Sequence, residues 1–166
     1  MKKLLLGMLS LVAISGYAGY DLPIDGKFRH CTDGLPSEWT VSEPGASKIV
    51  RGEEMFSKAL QLTAGSKAVA AVSKKSFAMS PNVELEVSAE IKGSGTAFIA
   101  VEIVDPTGKL SGIRRIAERR ATNRFTDIKG KFRLEKFAPV KIRVILGVEP
   151  GSSVAFDDVE AELDND

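Results

Sequence analysis

The stretch that decides the fold closes the chain: Val154-Ala155-Phe156-Asp157-Asp158-Val159-Glu160-Ala161-Glu162-Leu163. Apolar and polar residues interleave here as in a β-strand, yet two adjacent carboxylates occupy the middle. Aspartate disfavours strand interiors, and a charge withdrawn from water needs a partner or a metal. The segment therefore predicts a strand carrying a local device that holds Asp157 and Asp158.

Working back from this end, period-two alternation dominates. Val83, Leu85, Val87, Ala89 and Ile91 alternate with Glu84, Glu86, Ser88, Glu90 and Lys92, one dry face and one wet face. Ala97, Ile99, Val101 and Ile103 repeat the pattern, as do Val140, Ile142, Val144 and Leu146; Ile128, Phe132 and Leu134 share a face around Gly130. Turn signals separate these runs. Asp105-Pro106-Thr107-Gly108 predicts a tight turn, Gly93-Ser94-Gly95 a hairpin between two strands, and Glu149-Pro150-Gly151 the entry to the last strand. Roughly ten short strands spaced by turns predict an all-β sandwich or barrel. One segment resists. Ile113 to Ala121 places Ile113, Ile116, Ala117 and Ala121 on one helical face, and reads either as a helical turn or as an irregular edge strand whose arginines discourage pairing with another chain.

At the other end, Met1-Lys2-Lys3, the apolar run Leu4 to Ile14 and the small residues of Gly16-Tyr17-Ala18 read as an export signal cleaved after Ala18. The run is too short for a stable membrane anchor. Residues 19–166 then form one domain, expected outside the cytoplasm in the periplasm or beyond, with no membrane span. The charge balance, 23 Lys and Arg against 22 Asp and Glu, argues against a general nucleic-acid binder. Cys31 is the single cysteine, so no internal disulfide staples the core.

Four places resemble the galactose-binding-like jelly-roll carbohydrate-binding modules, of the xylan- and glucan-binding type. Asp25-Gly26-Lys27-Phe28 followed by Gly34-Leu35-Pro36-Ser37-Glu38-Trp39 resembles the family opening. Ser57 to Leu62 resembles its early core strand, Val83 to Gly95 its central strand, and Phe125 to Leu134 with Val154 to Leu163 its closing strands. The resemblance covers residues 25–163. It implies a jelly-roll β-sandwich of two antiparallel sheets and a non-catalytic role in holding a glycan. It also implies a structural calcium, to which Asp157 or Asp158 would supply ligands, with Asp25 in place of the family's missing first-strand acid. The family's acid after the first-strand Phe is here Arg29, which offers a second way to hold the acids, by a salt bridge.

Catalysis finds little support. His30 is the single histidine and stands beside Cys31, where strand neighbours face opposite ways. Structural zinc wants several Cys or His ligands. Glu84, Glu86 and Glu90 read as a solvated strand face rather than a glycosidase pair. Candidate glycan contacts are basic. Arg114, Arg115, Arg119, Arg120 and Arg124 crowd one segment, and forked guanidinium bonds suit an acidic polysaccharide. Trp39 is the one indole that could stack on a sugar, although the resemblance places it in the core. The sparse aromatic content keeps a second expectation open, a periplasmic or surface domain of the same fold that binds protein.

Overall fold

A computed structural model describes residues 20–43, 45–105, 107–134 and 139–165. The export signal and its cleavage point fall outside them. The described residues form fourteen strands: β1 (Tyr20–Asp21), β2 (Cys31–Thr32), β3 (Leu35–Pro36), β4 (Trp39–Val41), β5 (Ser47–Arg51), β6 (Lys58–Thr63), β7 (Val69–Ser73), β8 (Phe77–Met79), β9 (Val83–Ser94), β10 (Thr96–Val104), β11 (Leu110–Arg120), β12 (Thr126–Arg133), β13 (Val140–Val148) and β14 (Ser153–Asn165). They build two antiparallel sheets. The first runs β12-β9-β14-β6-β5, with β1 joining β14, and the second runs β11-β10-β13-β7-β4, with β8 joining β13. The fold is the predicted all-β jelly-roll sandwich.

The alternation read from the sequence sets the core. Leu85, Val87, Ala89 and Ile91 of the first sheet face Ala97, Ile99, Val101, Ile142, Val144 and Leu146 of the second. Each large side chain removed from water contributes about 1.5–3 kcal/mol. Ile113 to Ala121 resolves as strand: β11 is the edge of the second sheet, paired along β10 with a register shift between Ile99 and Ala100. The shift explains the failed alternation, because Ile116 and Ala117 are adjacent and both pack on the core. β12 closes the sandwich against β11. A Cβ at Gly130 would overlap the Ile116 carbonyl, so only glycine permits this approach.

One turn differs from its reading. Gly93-Ser94-Gly95 does not join a hairpin, since β9 and β10 lie in different sheets. It is a corner where the chain passes from one layer to the other. Gly95 takes φ +91, and a Cβ there would overlap Ser152, whose Oγ accepts from the Thr96 N–H. Two glycines flanking a serine satisfy a corner as well as a hairpin, and only the pairing partners distinguish them.

Candidate functional site

β14 carries the expected device. Its register against β9 shifts between Asp157 and Glu160, so Asp158 and Val159 oppose the single residue Ala89. This is a β-bulge, and Asp158 takes φ +46 within it. The bulge sits where β14 changes neighbour, from β6 at Phe156 to β1 at Glu162. Its signal was present in the sequence: the apolar positions run 154, 156, then 159, 161, 163, a change of parity that a regular strand cannot make.

Asp157 points to the outer face of the first sheet yet is only 3% exposed, because the β5–β6 loop lies over it. Its Oδ2 accepts from the Glu53 N–H at 2.8 Å and the Ser57 hydroxyl at 3.1 Å, and its Oδ1 from the Asp158 N–H at 2.9 Å. Gly52 is required beneath this loop, since a Cβ would overlap both Ser57 Oγ and the Asp157 carboxylate. Asp158 pairs with Lys27, ammonium to Oδ1 3.0 Å. The carboxylate raises the Lys27 pKa. Glu53, Glu90, Asp157 and Asp158 border a small concavity of about 180 Å³. Burial, then the adjacent Glu53 carboxyl, then the charges of Asp158 and Asp157 push Glu90 up to about 7.

Of the expected calcium ligands, Asp157 and Asp158 meet at the bulge and Asp25 does not coordinate with them. The Asp25 carboxylate accepts from the backbone N–H groups of Arg29 (3.0 Å) and His30 (2.9 Å), and lies 3.3 Å from His30 Nδ1. Arg29 is exposed, and the cation at Asp158 is Lys27, two residues earlier. As arranged, the residues do not fit a calcium ion: one acid is satisfied by three protein donors, another holds an ammonium, and the third caps a turn.

The second sheet offers a different surface. Opposite its core-facing residues, Phe98, Ala100 and Ile145 cluster with Ala70 and Val72 on the outer face. The register aligns them in rows across the strands, Phe98 with Gly147 and Ala70, Ala100 with Ile145 and Val72. The Phe98 ring lies over Gly147, where a Cβ would overlap it. The Arg115 guanidinium stacks 4.1 Å from the ring centroid and is pinned by Glu118 and Glu149, each at 2.6 Å. Burial opposes the Arg115 charge, and the two carboxylates outweigh it and raise its pKa. Arg143 pairs with Glu102 farther along the same face.

The register divides the expected arginine cluster. Arg115 and Arg120 stand opposite Ala100 and Thr96, on the outer face with Phe98, whereas Arg114 and Arg119 stand opposite the core-facing Val101 and Ala97. Arg119 donates to the Asp127 carbonyl across the closing edge, and Arg124 lies exposed in the loop beyond β11. Trp39 does not join them. It is 3% exposed, packs 5.9 Å from Phe28, and donates from its indole N–H to the Asp25 carbonyl at 3.1 Å. Lys129, Lys131 and Arg133 form an ion-pair ladder with Glu84 and Glu86 on the outer face of the first sheet, which lowers the pKa of both acids. A concavity of about 710 Å³ runs beside the bulge past Asp25, His30, Glu38 and Glu160.

No protein-family model and no curated protein matches the chain in sequence. Solved structures do match. The CBM22-1 xylan-binding domain from Paenibacillus barcinonensis Xyn10C superposes with a TM-score of 0.62 at 17% identity, over 92% of this chain and 99% of that one. The CBM22-1–GH10 modules of Clostridium thermocellum xylanase 10B, complexed with xylohexaose, match at 0.62 and 21%, over 86% of this chain and 28% of that longer one. The family 16 carbohydrate-binding module-2 matches at 0.55 and 17%, over 83% of this chain and 96% of that one. At these identities the likeness is one of fold, and the chain has the jelly-roll fold of the carbohydrate-binding modules.

Proposed function

We propose that this chain is an exported, non-catalytic module that holds a polysaccharide across the outer face of its second sheet. The observation that carries this reading is an apolar cluster on the outer side of the second sheet, with Phe98, Ala100 and Ile145 buried and Ala70 and Val72 half-buried beside them, where a solvated sheet would be polar. Sugar rings place C–H faces on such a floor and hydroxyls at its rim. Ala70 and Val72 are the half-buried part of this cluster, and Glu118 and Glu149 stand at its rim as acceptors. Arg115 and Arg143 already hold carboxylates, so a neutral polysaccharide suits the strip better than an acidic one.

Affinity electrophoresis against xylan, β-glucan and polygalacturonate tests the proposal. Ala70→Arg adds a long cation on the solvent side of the strip and should weaken binding about tenfold or more. Glu38→Ala, in the groove beside the bulge, should leave it unchanged. Absence of binding to every glycan, or equal binding by Ala70→Arg, would sink the reading. A protein-binding role draws on a separate observation: Met55 and Phe56 at the β5–β6 loop tip are 73% and 91% exposed.

A further inference from the structure

The acids at the β14 bulge are not arranged as a set awaiting a divalent ion. Calcium is held by about six to eight oxygens with no cation among them. Here Asp157 has three protein donors and Asp158 has the Lys27 ammonium. Among the described residues, no donor other than the Lys27 ammonium reaches Asp158 Oδ1, which leaves the ion pair as its compensation.

The fold delivers that ammonium. Residues 25–28 make a tight turn in which the Phe28 N–H donates to the Asp25 carbonyl, 3.3 Å. The Asp25 carboxylate fixes the next two backbone groups, and Phe28 anchors in the core at φ +48. Gly26 lies directly against the bulge. The Val159 N–H donates to its carbonyl at 3.1 Å, and a Cβ at position 26 would overlap the Val159 carbonyl. Residue 27 is thereby carried to Asp158 by backbone contacts.

We propose that Lys27 is a tethered cation that takes the place of a structural calcium at the bulge, so that folding of this chain does not depend on the ion. A tethered charge is present whenever the chain folds, whereas a bound ion stabilises in proportion to its concentration over its dissociation constant. Glu53 and Glu90 supply further carboxylates around the same space, so removal of the ammonium leaves an acidic concavity able to admit a cation.

The test is thermal melting in excess calcium and in excess chelator, on the full domain and on Lys27→Arg and Lys27→Gln. The wild type and Lys27→Arg should melt at the same temperature in both. Lys27→Gln should melt lower in chelator and regain roughly 5 °C or more with calcium. Stabilisation of the wild type by calcium overturns the proposal, as does a Lys27→Gln variant indifferent to the ion. If Lys27→Gln does not fold, calorimetric titration of the wild type with calcium decides alone: no saturable heat supports the tethered cation, and saturable binding refutes it.

Discussion

Substitution of Asp157 tests whether the buried carboxylate holds the β5–β6 loop to the sheet. Its two oxygens accept from Glu53 N–H, Ser57 Oγ and Asp158 N–H. Hydrogen bonds to a charged group contribute about 1.5–3 kcal/mol each, and stranded partners add a desolvation cost. Glu53 and Ser57 belong to a surface loop that can open and meet water, so Asp157→Ala should cost about 3 kcal/mol rather than the full sum. For a domain of this size that is a fall in melting temperature of about 6–12 °C. Asp157→Asn keeps one acceptor oxygen. With that oxygen turned to Glu53 and Ser57, its amide faces the Asp158 N–H and loses that bond. The charge lost from beside Glu90 and Asp158 offsets part of the cost, which leaves about 1–2 kcal/mol.

Urea unfolding of the three proteins, with the m-values compared, gives both differences directly. An alanine variant within about 1 kcal/mol of wild type, or an asparagine variant as unstable as alanine, would refute the account. The first outcome would mean that water already satisfies the loop. The second would mean that charge, not acceptor geometry, does the holding.

Gly147→Ala drives a methyl into the Phe98 ring; it should cost about 1–3 kcal/mol by overpacking and displace the ring, which aromatic NMR shifts would report, and an unshifted ring would count against the packing. Glu90 titrates at about 7 in the folded chain against 4.5 unfolded, so the folded state binds its proton more tightly and this group's contribution is fully present below pH 4.5 and lost as pH rises to about 7. Glu90 is half-buried and solvent screening applies, so the loss is about 1 kcal/mol. Urea unfolding across that window should show it in wild type and not in Glu90→Gln, and identical pH profiles would discount the shift.

The fold was legible because its determinants are local. The alternation from Val83 to Lys92 leaves one pairing face for the core, and the closing strand announced its irregularity through two aspartates. The helical alternative for Ile113 to Ala121 arose from a bulge, which mimics a change of period over a few residues. Lys27 was harder to find. A lysine two positions before the expected acid carries no signal until the Gly26 turn is seen to dock on Val159. The arginine cluster misled for the converse reason. Proximity in sequence became opposite faces in a strand, because successive side chains alternate.

The outer apolar strip had a signal of its own. Ala97-Phe98-Ile99-Ala100-Val101 has no polar residue at all, and a run of that kind means a strand covered on both faces. Ala97, Ile99 and Val101 account for the core, which leaves Phe98 and Ala100 on the outer side of the sheet, where both are buried and the Arg115 guanidinium covers the Phe98 ring. The first sheet makes the contrast. Its outer face carries Glu84 and Glu86 against Lys129, Lys131 and Arg133, exposed pairs that keep a sheet soluble and contribute about 0–1 kcal/mol each. The same chain therefore makes one outer face charged and the other apolar. In the second sheet the rim side chains Arg115 and Arg143 lie among their own carboxylates beside the apolar cluster, and Arg115 covers Phe98. The difference between the two faces, more than any single residue, is what argues that the second sheet is the working surface of this domain.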